Sequence, residues 1–256
     1  MKIQLIKTNL STIQKICLAG LFIALAAILQ KVTAINYLPF APFVRVSLGG
    51  PALIMFSSIL LGPIYGAFVG LGSDVLGYFI FDIRAYPFYP QITAIYTLLG
   101  FCAYFVFSLI RSINNRKLLT IIEIAFLALV WIGVSLYVIM SNKITLMTKT
   151  YTVPLLSKIL VPTVLGLIFV GIVLFSLLYK SKESRPIMSS LQICFASFIC
   201  DFFIIVLFGS LMKAWAFGFA TFLAIILCQA MVMFFNVMLD TLFICVYQKF
   251  TRKYFV

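Results

Sequence analysis

Three aspartates, Asp74, Asp201 and Asp240, stand inside long apolar runs of the sequence, and an arginine, Arg45, stands at the edge of another. An aspartate at membrane depth costs about 2.5 to 3.5 kcal/mol on insertion scales, so each needs a partner, a polar cavity or a function. Paired membrane carboxylates can perform acid/base or metal chemistry, which gives one reading, an intramembrane enzyme built on Asp74, Asp201 or Asp240. Against it, the three lie on different apolar runs and share no catalytic motif. For Asp74 and Asp201, a structural hydrogen bond and a direct ligand contact stand level; Asp240, near the end of the last run, points to structure or to a partner contact. No catalytic or metal-binding set is assigned. The chain has no His, and Cys17, Cys102, Cys194, Cys200, Cys228 and Cys245 are scattered without a CxxC.

Other residues have the types and spacing for binding. Arg45 offers a fork for a carboxylate, or else an interfacial anchor. The segment DIRAYPFYPQ, residues 82–91, carries aromatics between prolines that fix φ. Its rings either form an interfacial belt or stack on a flat heterocycle. Gln229, Asn236 and Asp240 fall at i, i+7 and i+11, one polar stripe on an apolar helix that turns toward a bundle interior. Gly66, Gly70, Ser73 and Gly77 make a small-residue face that lets a neighbouring backbone approach. Gly20 and Ala24 form a similar pair, suited either to internal packing or to docking another membrane protein.

The elements that must position these residues are membrane helices. The chain has 256 residues, 64% of them hydrophobic and 10% charged, with a mean hydropathy of +1.19, outside the range of soluble domains. Eight apolar runs are candidates for spans, at about 16–35, 46–61, 64–81, 92–110, 118–140, 159–179, 187–208 and 216–247. Gly62-Pro63 breaks the second from the third. The last run is too long for one straight span, which places its start, 215–219, along the outer interface with a bend at Gly218.

The net charge of +13 reflects Lys and Arg gathered at the ends of these runs. With the N-terminus inside, twelve of them fall inside and seven, Lys31 among them, fall outside. An even span count with both termini in the cytoplasm satisfies the positive-inside rule. The basic N-terminus lacks a clear cleavage site before Pro39 and reads as the approach to a first membrane helix.

The stretches VRVSLGG, LLGPIYGAFVGLGSD and AYPFYPQIT, residues 44–50, 60–74 and 85–93, with CLAGLFIALAA at 17–27, resemble the substrate-binding S components of energy-coupling factor (ECF) vitamin transporters, of the folate type. The resemblance implies an all-α membrane protein of one domain, 1–256, with about eight transmembrane helices: a six-helix bundle with an inserted helical hairpin at 116–185. It implies capture of folate or a related vitamin outside the cell membrane, in a pocket near Asn36, Tyr37, Arg45, Arg84, Tyr86, Phe88, Tyr89, Gln91 and Lys213. Asp74, Tyr96, Gln229 and Asn236 are further candidates.

Gly20 and Ala24 match the pair that docks the coupling subunit, with Gly in place of the first Ala. Two partner ATPases would hydrolyse ATP, since the chain has no GxxxxGK[ST] loop, and no cofactor of its own is implied. The last helix, LCQAMVMFFNVMLDT at 227–241, has none of the basic residues or the proline of the folate pattern. A different class of reading, a stand-alone permease, lacks an inverted repeat.

Overall fold

A computed structural model describes residues 10–33, 47–81, 88–113, 115–146, 149–178, 188–218 and 222–255. Helix α1 (Thr12–Lys31) starts at a capping box in which Ser11 and Gln14 satisfy each other's backbone N–H groups. Helix α2 (Gly50–Leu61) begins four residues later than its apolar run. Pro51 suits the first helical turn, and Gly49 takes a left-handed φ of 85° that ends the approach to it. Its 12 residues span about 18 Å, short of the roughly 30 Å hydrocarbon core. The predicted second span is therefore a half-depth helix. Gly62, at φ 103°, turns the chain into α3 (Pro63–Phe81).

Helices α4 (Pro90–Arg111), α5 (Arg116–Met140) and α6 (Leu155–Leu178) follow. Between α5 and α6 the segment expected to be a loop is a two-stranded ribbon, β1 (Lys143–Leu146) paired antiparallel with β2 (Lys149–Thr152) in the register Lys143 to Thr152. Four residues a side suffice for a short ribbon, too brief a pattern to separate from a loop by alternation.

The seventh span does not stop at Phe208. Helix α7 (Ser190–Cys200) runs through a π-helical segment (Asp201–Phe208) into α8 (Gly209–Phe217), and the break comes at Gly218, φ 106°. Trp215 and Ala216 thus close the seventh span rather than opening the eighth. Helix α9 (Phe222–Phe255) completes the chain. Asp240, expected near its end, sits mid-helix because α9 continues eight residues past the apolar run that ends at 247. Among the described residues, seven helices are long and apolar enough to cross a membrane.

Small residues set the packing. A Cβ on Gly70 would strike the Tyr96 carbonyl oxygen, and one on Gly100 the Gly66 carbonyl oxygen, so α3 and α4 pack antiparallel at backbone contact. Gly77 sits against Lys31 and Ala27, which lays α1 parallel to α3. Gly50 meets Gln30, and Phe22 meets Phe56 edge-on at 6.1 Å, so α2 runs antiparallel to α1. Gln192 Nε2 donates to the Ile113 carbonyl (3.2 Å) and the Gln248 amide brackets the Met188 backbone with two 3.1 Å bonds. Those bonds gather the end of α4, the start of α7 and the end of α9 at one end of the bundle, called here the lower end. Helices α5 and α6 pack chiefly on one another, with Trp131 stacked on Phe169 and donating to the Pro162 carbonyl, and flank α7 and α9.

Candidate functional site

The half-depth start of α2 leaves the upper ends of α3, α4, α8 and α9 standing above it. The start of α2 meets α1 at Gln30 and α9 at Phe243 and Asp240. Gln30 Nε2 reaches Ser73 Oγ (3.5 Å), and its Oε1 has no donor among the described residues. Beside it, Lys31 Nζ donates to Asp74 Oδ1 (2.9 Å) and Thr93 Oγ1 donates to Asp74 Oδ2 (2.7 Å). This buried ion pair, with side chains 8% and 3% exposed, joins α1, α3 and α4. Both Asp74 oxygens therefore have protein donors, and the structural reading of that residue describes it.

Aromatic rings lie above the ion pair. Phe88 stacks on Phe79 (5.8 Å, 26°) and tilts against Tyr78 (5.1 Å), folding the approach to α4 onto the end of α3. Tyr89 precedes α4 as its N-cap, half-buried. Gln91 turns its Oε1 into the protein, where no donor among the described residues meets it. Tyr96 is partly buried against the apolar core, and its carbonyl is the one that Gly70 meets.

The polar stripe of α9 faces inward as its spacing predicts: Gln229, Asn236 and Asp240 are 4%, 5% and 1% exposed. The Gln229 amide bridges α8 to the π segment, its nitrogen donating to the Ile205 carbonyl (2.9 Å) and its oxygen accepting from Lys213 Nζ (3.0 Å). Asn236 Oδ1 has no donor among the described residues. Phe88, Tyr89, Gln91, Lys213, Gln229 and Asn236 thus belong to the upper parts of the elements that enclose this end of the bundle. Asn36, Tyr37, Arg45, Arg84 and Tyr86 lie outside the described residues.

Gly20 and Ala24 are exposed on α1 among exposed Leu21, Leu25 and Ile28, and a Cβ on Gly20 would meet nothing within 4 Å. A Cβ on Gly20 thus meets no other helix among the described residues. Internal packing, one of the two readings of this pair, does not describe Gly20.

Sequence reasoning missed Lys31, Thr93 and Glu123. Lys31 was counted as an outside charge; the signal was its adjacency to Gln30 at a span end, facing a span that holds an unpaired Asp. Glu123, on α5, is 1% exposed beside Cys194 of α7. An acid inside an apolar 25-residue helix is the signal for it.

Aromatic and amide side chains thus sit on the upper parts of the helices that stand above the start of α2. A small apolar void at the lower end, lined by Phe56, Ile59, Phe107, Met188 and Gln248 among others, has room for little more than a water molecule.

Residues 10–184 match the family described as the ECF-type riboflavin transporter, S component, over more than half of the chain. The chain belongs to this family. It is a multi-pass membrane protein and the substrate-binding subunit of an ECF vitamin transporter, not an enzyme. The match runs through α5 and α6 and stops before α7. No curated protein matches the chain, and no solved structure does. For an S component the ion pair at Asp74 acquires a clear place, since it joins the helices from which the first and third loops leave.

Proposed function

We propose that this S component captures a flat, uncharged heterocyclic vitamin, riboflavin first, on the outer face of the cell membrane. It passes that vitamin inward through a coupling subunit powered by two partner ATPases. The observation that carries the reading is membership in a family described by riboflavin. Amides on the upper elements, Gln91, Gln229 and Asn236, support it, together with the Tyr78 and Phe88 ring pair at the start of α4. Amides suit the donor and acceptor edge of a neutral ring, and aromatic faces suit its plane. Both termini lie in the cytoplasm in this reading, which leaves Lys249 and its basic neighbours on the inner side.

Folate is the second reading, favoured by Arg45 and Arg84, which would meet its carboxylates. Against it, Lys31 is spent on Asp74 and Lys213 is held by Gln229. The exposed Gly20 and Ala24 face of α1 is the surface offered to the coupling subunit, and the α5–α6 pair is an addition to the six-helix core.

The deciding experiment titrates detergent-purified protein with riboflavin, following flavin fluorescence, and with folate by calorimetry. One-to-one riboflavin binding that folate does not displace supports the first reading. Folate binding without riboflavin binding selects the second, and binding of neither refutes both.

A further inference from the structure

Asp201 opens the π segment and Asp240 sits mid-way along α9, and their carboxyl groups lie within hydrogen-bond reach of each other. They are 0% and 1% exposed. No lysine or arginine among the described residues acts on either. The backbone N–H of Ala52, in the first turn of α2, reaches Asp240. Both oxygens of Asp201 and Oδ2 of Asp240 have no N–H or hydroxyl donor among the described residues. Of the pair's four buried carboxyl oxygens, three thus lack a donor among the described residues, and the Ala52 N–H serves the pair as its one donor among them.

Two negative charges cannot rest there. Side by side in a buried place they repel strongly, before the cost of taking both from water. The N-terminus of α2 contributes the equivalent of about half a positive charge, enough to favour one carboxylate but not two. The other ionisable groups facing the pair are Cys200 at the end of α7 and Tyr247 on α9, with Cys102 of α4 next to Cys200. None of these is a base that would carry a positive charge.

We infer that Asp201 and Asp240 form a buried proton-binding site, in which one proton on the Asp201 carboxyl bridges to an Asp240 carboxylate held by the N-terminus of α2. The proton is the missing donor. It ties the π segment, α9 and the half-depth helix together directly beneath the upper end of the bundle. Removing it leaves two like charges in contact, so the tie weakens as pH rises. A proton fits the pair better than a metal ion because the two carboxyls approach each other directly, whereas an ion would sit between them and hold their oxygens apart. The site stands whether or not the chain takes a vitamin.

Infrared spectroscopy of the full-length protein in detergent tests this through the carbonyl stretch of a protonated carboxylic acid, with Glu123→Gln used to remove any band from that other buried acid. Asp201→Asn is nearly isosteric and its amide donates as the protonated acid does. The expected result is loss of a protonated-acid band in Asp201→Asn and a shifted band in Asp240→Asn. Thermal stability of the unmodified protein falls from neutral into alkaline pH, and that fall is reduced in Asp201→Asn. The inference is overturned if, with Glu123→Gln in place, no protonated-acid band exists or Asp201→Asn leaves it unchanged. It is also overturned if stability depends on sodium rather than on pH when sodium replaces choline. Should Asp201→Asn fail to fold, the band and the alkaline fall in the protein with Asp201 and Asp240 intact still decide.

Discussion

Lys31 Nζ lies 2.9 Å from Asp74 Oδ1, with both side chains buried, so the last turn of α1 is pinned to the middle of α3 by an ion pair inside the bundle. Thr93 completes the set from α4. Removing one member leaves an uncompensated charge, whereas removing both leaves only lost packing. Lys31→Met and Asp74→Asn are each expected to destabilise the protein by about 3 to 5 kcal/mol. The double variant should recover most of that loss, as measured by thermal unfolding in detergent. Equal loss in all three would mean that the pair contributes through its shape rather than its charge.

Gly70 and Gly100 have no room for a methyl group, since each would place it on the backbone of the facing helix. Gly70→Ala and Gly100→Ala are expected to push α3 from α4 and to lower stability by about 1 to 3 kcal/mol, the usual range for overpacking. Gly133 on α5 has nothing within 4 Å, and Gly133→Ala should be neutral or slightly stabilising through helix propensity. Unfolding temperatures of the three variants, compared side by side, separate crowding from a general intolerance of change.

Much of this was legible because the bilayer penalises certain residues so strongly. The spacing of Gly66, Gly70 and Gly77 indicated a close-packed face, and the polar stripe of Gln229, Asn236 and Asp240 indicated an interior face; the structure buries both. The start of α2 was misplaced at 46, where Pro51 after two glycines is the signal for it, and an apolar pattern cannot tell a half-depth helix from a full span. The partner of Asp74 was hidden, because a lysine at a span end looks the same whether it anchors to headgroups or turns inward. Pairing between helices is not written in the spacing within one helix. The continuity from α7 to α8 was hidden too: the π segment keeps Gly209 inside a helix that apolar patterning ends at Phe208.

The exposed surface of α1 should separate docking from binding. Gly20→Leu and Ala24→Leu enlarge residues exposed on α1, so folding and vitamin affinity should stay unchanged. Co-purification with a coupling subunit, and ATP-driven uptake in proteoliposomes, should fall together. A loss of vitamin affinity in these variants would show instead that α1 reports on the pocket.

Asn236 and Gln91 each turn an amide oxygen into the upper half of the bundle with no donor among the described residues. Leaving such a group unpaired costs about 1 to 3 kcal/mol, and a ligand N–H or hydroxyl that pairs with it regains that amount. Asn236→Ala and Gln91→Ala should therefore weaken riboflavin binding by roughly 5- to 150-fold each, while leaving the unliganded protein as stable as before or more so. Gln229 predicts the opposite balance, because its amide is already engaged by Ile205 and Lys213. Gln229→Leu breaks that bridge and should lower stability as well as affinity. Calorimetric affinity plotted against unfolding temperature distinguishes the two behaviours. Amides that wait for a ligand change the first alone, and an amide that serves the fold changes both.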